Sequence, residues 1–313
     1  MTTAFYSHPD CLAHDQGHGH PESPARLDAI TDHLRATGLD VALDWRDAPA
    51  VDLAAAKRAH DANYVDALAS TLSELSLSGG TRALDADTTA CAGTWAAVQR
   101  AAGAAVAATD AVLSGEVDNA FCAVRPPGHH ATRTQAMGFC FFNAVAIAAR
   151  HALDHHGLQR VAIVDFDVHH GNGTEDIVAG DPRILMVSFF QHPLYPGSGV
   201  DASADNLLNL PLPPYSDGKA MRELVQREWL PRLNAFAPQL LIVSAGFDAH
   251  RDDPLAQLGL VEDDYRWLTQ QLKTVADTHC QGRIVSCLEG GYALGPLARS
   301  VAAHLRVLAE VDG

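Results

Sequence analysis

Short apolar runs alternate along this chain with longer amphipathic segments. The runs at 120–124, 160–165, 184–189, 240–244 and 283–288 are nearly continuous in Val, Ile, Leu, Ala and Phe. Runs of that kind, bounded by turn residues, predict strands covered on both faces. Helical spacing is found at 24–36, 52–73, 88–113, 143–156, 218–236, 263–279 and 297–309. Ser23 is expected to cap the first of these helices, with Pro24 at its first helical position. The alanine-rich stretch 96–108 reads as a helix packed closely on the sheet. This order predicts an α/β fold with a parallel sheet and helices on both faces.

After each of the five runs the sequence turns abruptly to Gly, Pro and polar residues: RPPGHH (125–130), FDVHHGNG (166–173), FFQHPLYPGSG (189–199), GFDAHRDDP (246–254) and EGGY (289–292). Ligands of open parallel sheets bind at the carboxyl ends of the strands. Five such loops on one sheet edge predict an active site there.

Composition narrows the class. The chain has 313 residues, 47% of them apolar, with no repeat, low-complexity tract or linker, so residues 1–313 are read as one domain. No apolar run approaches the ~18–20 residues of a membrane span. The opening MTTAFYSHPDCLAHD lacks a basic patch followed by an apolar stretch, so no secretory signal is expected. Six scattered cysteines without CxxC spacing fit reduced thiols and a cytoplasmic location. The net charge of −16 opposes direct nucleic-acid binding and mildly favours cationic substrates.

Asp165, Asp167 and His169 follow one another at two-residue spacing across a strand end, so their side chains share a side. Carboxylate and imidazole together suit a borderline cation such as Zn²⁺, and Asp248, ending another apolar run, completes a shell of one His and two carboxylates. The bland alternative is an Asp–His pair without metal. His129 and His130 follow the rigid RPPG turn; two adjacent imidazolium ions repel, so at least one ring stays neutral near pH 7 as a base, the alternative being a solvated pair without a catalytic role. The phenol of Tyr292 is placed to hydrogen-bond a developing oxyanion, although a tyrosine after two glycines is otherwise packing. His151, His155 and His156 read as surface residues on a polar helix end. His8, His14, His18 and His20 read as rim or structural groups.

Together, HPESPARL (20–27), RPPGHH, GFCFFN, DFDVHHGNGTED, GFDAHRDDPL and EGGY resemble the histone deacetylase family over nearly the whole chain. HPExPxRL, DVHHGNG and EGGY resemble its class II branch, with the bacterial deacetylase-like amidohydrolases and acetylpolyamine amidohydrolases. The resemblance implies the arginase–deacetylase α/β fold, a central parallel sheet of about eight strands flanked by helices. It makes Asp167, His169 and Asp248 the zinc ligands, His130 the general base and then acid, and Tyr292 the transition-state tyrosine. His129 becomes an electrostatic partner steadied by Asp165. Gly138 and Phe139 match one wall of an acyl-lysine tunnel, Tyr195 the facing wall, Leu255 the rim, and Asp87 a rim aspartate gripping substrate amides. Asp165, Asp167, His169, Ser188 and Phe189 match a structural K⁺ site, largely through backbone carbonyls. Asn172 stands where the class I branch has an aspartate behind the second histidine.

The expected reaction is hydrolysis of an acylated lysine in a peptide or protein, with an acetylated polyamine as the alternative substrate. Leu255 at the rim, in place of an acidic gatekeeper, and the lack of a long early insertion between Asp10 and His20 both lean towards a more open site. Two other classes rank lower: a silent acyl-amine binding module, which would ordinarily have lost one of these groups, and a two-manganese ureohydrolase, which needs more carboxylates than DFDVHH supplies. Self-association is compatible with all of them.

Overall fold

The computed structural model describes residues 1–311. Its strands are β1 (Thr3–Ser7), β2 (Leu43–Asp47), β3 (Thr81–Ala83), β4 (Thr89–Cys91), β5 (Asn119–Cys122), β6 (Val161–Asp165), β7 (Ile184–Gln191), β8 (Leu207–Leu212), β9 (Leu240–Ala245) and β10 (Ile284–Leu288). Eight of them form one sheet in the order β2-β1-β5-β10-β9-β6-β7-β8. Every pairing in it is parallel. The five runs picked out by hydrophobicity are β5, β6, β7, β9 and β10, all completely buried.

Register decides where chemistry can occur. Cys122 of β5 pairs with Cys287, Cys287 with Ser244, Ser244 with Asp165 and Asp165 with Ser188. These five residues form one row across the sheet, so the loops after it open at one level. Strands β5 and β6, which deliver RPPGHH and DFDVHH, are held apart by β10 and β9. That insertion makes the crevice into which four loops converge.

The helices are α1 (Ala25–Ala36), α2 (Leu53–Ala56), α3 (Ala62–Ser78), α4 (Thr94–Ser114), α5 (Ala144–Asp154), α6 (Asn172–Val178), α7 (Gly218–Leu224), α8 (Leu230–Phe236), α9 (Glu262–His279) and α10 (Leu294–Leu308). A π-helical turn, Val225–Trp229, joins α7 to α8. Helices α4 and α5 pack together and on the central strands; α1, α9 and α10 form the second layer. The alanine face of α4 approaches closely: a Cβ on Gly103 would sit 1.9 Å from the carbonyl oxygen of Pro49. Among the described residues, no helix is long and apolar enough to cross a membrane. All six cysteines are free thiols.

Several expectations need correction. The segment 52–73 is two helices, because Asp61 leaves helical geometry and caps α3 through Asn63 N (2.8 Å). The segment 88–113 starts as hairpin, β4 pairing antiparallel with β3, and becomes helical only at Thr94. Pro24, not Ser23, is the N-cap of α1, with no side-chain capping bond; only the Ser23 carbonyl serves Arg26 N (3.2 Å). Strands β1, β2 and β8 were not anticipated.

Candidate active site

The loop after β6 carries Asp167 and His169, and the loop after β9 carries Asp248. All three are buried, and one ligand atom from each lies within 4.8 Å of the others. His169 Nδ1 is 3.0 Å from Asp167 Oδ1 and 3.1 Å from Asp248 Oδ2. Backbone N–H groups aim the carboxylates: Gly290 N donates to Asp167 Oδ2 (2.8 Å), His169 N to Asp167 Oδ1 (2.9 Å) and Val168 N to Asp248 Oδ1 (2.9 Å). Glycine is required beside them, since a Cβ on Gly290 would lie 2.0 Å from Asp248 Oδ2 and one on Gly246 2.1 Å from Asp167 Oδ2. Burial and the charge of Asp167 raise the Asp248 carboxyl to about 7. Burial opposes charge on His169 as well, yet the two carboxylates lift it to about 10. Two buried carboxylates pulling this strongly on one ring nitrogen fit a divalent cation of the Zn²⁺ type.

Two adjacent imidazoles face this cluster with opposite tuning. The rings of His129 and His130 lie 4.0 Å apart between centroids. His129 Nδ1 is 3.0 Å from Asp165 Oδ2, and its Nε2 is 3.7 Å from Asp167 Oδ1. Burial disfavours its charge, but Asp167 and Asp165 outweigh that and raise it well above the ordinary imidazole range. His130 Nδ1 meets the neutral amide oxygen of Asn172 (2.7 Å). Burial and the neighbouring His129 and His169 push its proton affinity well down. The surroundings thus favour charge on one imidazole and oppose it on its neighbour.

A buried ionic network fixes the loops that present these groups. Glu289 Oε2 accepts from Gly128 N (2.7 Å) and His129 N (3.1 Å), tying β10 to the RPPGHH turn. Arg26 donates to the carbonyls of Gly291 (2.7 Å) and Glu289, and its guanidinium carbon sits 5.0 Å from the Tyr292 ring centroid. Glu22 receives Arg125 through both oxygens (2.6 and 2.7 Å) and Arg26 at 3.3 Å. Asp253 Oδ2 accepts from Tyr292 N (2.7 Å). Sequence reading missed Glu22, Arg26, Arg125, Asp253 and Glu289 as site supports. The available signal was a charged residue inside each of HPESPARL, RPPGHH, GFDAHRDDPL and EGGY, where burial demands a partner.

A cavity of about 230 Å³ leads down to these groups, lined by Asp87, Phe139, Leu194, Tyr195, Leu255 and Tyr292, with His129, His130 and His169 deeper. Gly138 (φ 56°) and Phe139 (φ 69°) are both left-handed. A Cβ on Gly138 would lie 2.4 Å from Cδ2 of His130, so only glycine fits. Asp87 Oδ1 accepts from Gly138 N (3.1 Å) and Thr88 Oγ1 from Phe139 N (3.0 Å), which holds the strained wall in place. Phe139 meets Tyr292 edge-on at 6.1 Å, and Tyr195 meets His130 edge-on at 5.1 Å.

Of the remaining expected residues, Ser188 pairs in register with Asp165, its hydroxyl 3.3 Å from Asn209 Oδ1. Phe189 stacks on Trp229 at 5.3 Å. His14 is fully buried and bonded to Thr94 (2.8 Å), whereas His20 packs on Phe139. The surface reading of His151 is overturned: it is 6% exposed and is drawn, with His156, to Asp110.

The chain is similar to an uncharacterized protein of Synechocystis, 42% identical over 98% of this chain and 99% of that one. It is 40% identical to a histone deacetylase-like amidohydrolase of Pseudomonas aeruginosa over 88% of this chain and 73% of the relative. A polyamine deacetylase, HDAC10, of Mus musculus is 37% identical over 98% of this chain, which spans 48% of that protein. Among solved structures, the HDA15 HD domain superposes with a TM-score of 0.92 at 33% identity, covering 99% of this chain and 88% of that one. The family model of the histone deacetylase domain matches residues 20–308. With that match spanning the crevice, the row of strand ends and all four converging loops, the chain belongs to the histone deacetylase family and is a deacetylase of that family.

Proposed function

We propose that the protein is a zinc-dependent amidohydrolase that removes acetyl or other short acyl groups from the side-chain amine of lysine in peptides or proteins. The observation that carries this reading is the narrow cavity lined by His169 and the tandem histidines, with Asp167 and Asp248 clustered against His169 behind its wall. At about 230 Å³ it falls below the ~300–1,000 Å³ typical of sites for drug-sized ligands. Its walls, Phe139 and Tyr195, suit one slender acyl-amine chain threaded from the rim.

Asp167, His169 and Asp248 would hold the cation, which when bound supplies the Lewis acidity for amide hydrolysis. His130 then takes the proton of the attacking water at Nε2, the nitrogen left free because Nδ1 faces Asn172. His129 stays charged beside Asp165 and favours the negative charge that develops on the carbonyl oxygen. Tyr292 donates a hydrogen bond from its phenol to that oxygen, and its raised phenol pKa keeps the proton on the phenol throughout. His130 finally returns its proton to the departing amine. Asp165, Asp167, His169, Ser188 and Phe189, on two adjacent strand ends, are the proposed holders of a structural K⁺. Leu255 offers no charge at the rim for a second amine of a polyamine.

Release of free amine from acetyl-, propionyl-, lactyl- and longer acyl-lysine peptides, beside acetylputrescine and acetylspermidine, tests the reading. Peptide turnover abolished by a chelator and restored by Zn²⁺ is expected. Preference for the acetylpolyamines would replace the substrate assignment, and turnover indifferent to the chelator would remove the metal from it.

A further inference from the structure

Helix α5 runs from the catalytic edge of the sheet, where Asn143 bonds the carbonyl of Ala131, back to the opposite edge, where β6 begins. At that far end four ligand-type side chains meet: His151, His155, His156 and Asp110 of α4. His151 and His155 are one helical turn apart, the spacing by which two helical histidines address one ion. His156 leaves the helix after its cap and turns back. Asp110 Oδ1 is 2.6 Å from Nε2 of His151 and 2.6 Å from Nε2 of His156. The rings of His151 and His155 stack at 4.7 Å, and His156 stands nearly perpendicular to both, at 5.3 and 5.0 Å.

We infer that Asp110, His151, His155 and His156 form a second transition-metal site, remote from the cavity and suited to Zn²⁺ or a similar borderline cation. Three imidazoles and one carboxylate are a complete four-coordinate donor set of that type. Metal–ligand distances of about 2.1 Å in a tetrahedron separate ligand atoms by about 3.4 Å. Asp110 and the two rings it now bonds must therefore open slightly. Their surroundings permit it, since the Asp110 side chain is 47% exposed and that of His156 24%. At His151 binding requires no loss of a proton. Arg58 donates to Nδ1 of His151 (3.0 Å), which places that ring's hydrogen on Nε2 towards Asp110. The ion takes the Nε2 position, the hydrogen passes to Nδ1, and the exposed Arg58 side chain releases the ring. The ion would clamp α4 to α5.

Untagged full-length protein, equilibrated with graded Zn²⁺ and analysed for bound metal, provides the test. The wild type should bind two ions per chain. A double variant, His155→Ala with His156→Ala, and separately Asp110→Asn, should bind the second at least about tenfold more weakly while hydrolysing amides as before. His169→Ala should lose the other ion and keep this one, so the two sites fail independently. Zn²⁺ should also raise the melting temperature of His169→Ala, but not once His155 and His156 are removed as well. Equal stoichiometry and affinity in wild type and double variant would overturn the site, as would a wild type whose single ion is lost with His169→Ala.

Discussion

Nδ1 of His130 and Oδ1 of Asn172 are joined at 2.7 Å, and the other end of that amide donates to the sulfur of Met137. An amide oxygen only accepts, so His130 carries its hydrogen on Nδ1 and turns a lone pair at Nε2 towards the cavity. Fixing the tautomer with a neutral partner leaves the ring a base without making it a cation.

Replacing that partner with a carboxylate tests the point. In Asn172→Asp the new charge stabilises the imidazolium and raises the His130 pKa. The ring must be neutral to accept a proton, so the acidic limb of the pH profile of kcat/KM should move upward by the same amount. An unmoved limb would mean that another group titrates there.

Tyr292→Phe removes the proposed donor to the oxyanion while keeping the ring beside Phe139 and Arg26. Turnover should fall by about 10²–10³ with bound metal unchanged. The loss should be in kcat more than KM, because the bond strengthens only as charge develops.

Glu289 makes a stability prediction. Burial lifts its carboxyl to about 7, above the ordinary 4.5. A carboxyl raised on folding binds its proton more tightly in the native state, so its contribution to stability is present below 4.5 and is lost as pH rises towards 7. Glu289→Gln keeps an acceptor for Gly128 N and His129 N but cannot ionise. Between pH 4.5 and 7 the variant should gain about 3 kcal/mol relative to wild type, read from denaturant midpoints at each pH. Parallel profiles would show that Glu289 ionises as readily folded as unfolded.

Arg26→Met leaves the carbonyls of Gly291 and Glu289 without their donor and strips one cation from buried Glu22. Removing one member of a buried ion pair costs about 3–5 kcal/mol. Urea denaturation should show a loss of that order, whereas an exposed Arg227→Met should change stability by less than about 0.5 kcal/mol.

The central strands were legible because β5, β6, β7, β9 and β10 are covered on both faces and lack alternation. Strands β1, β2 and β8 were not: TAFYS has polar residues at both ends and only three apolar ones between them, LDWRD alternates charge with apolar groups, and LLNLPL contains a proline tolerated at the sheet edge. The site shows the same division. Groups that follow a buried strand directly, such as Asp167, His169 and Asp248, announce themselves by polarity after an apolar run. Glu22 and Arg125 are 103 residues apart, and Arg26 and Gly291 265. No local pattern reports that each charge has found its partner. Asp110 and His151, on separate helices, were hidden for the same reason.

The placement of β9 and β10 between β5 and β6 also sets a schedule for synthesis. A ribosome delivers β5, the tandem histidines, Asp167 and His169 long before Asp248 and Tyr292. Until the last strands emerge, the growing chain has a gap at the middle of its sheet and lacks two of the proposed site residues. On the proposed roles of Asp248 and Tyr292, the site is completed only when the final quarter of the polypeptide inserts, and a chain released early by premature termination carries the imidazoles without the groups proposed to work with them.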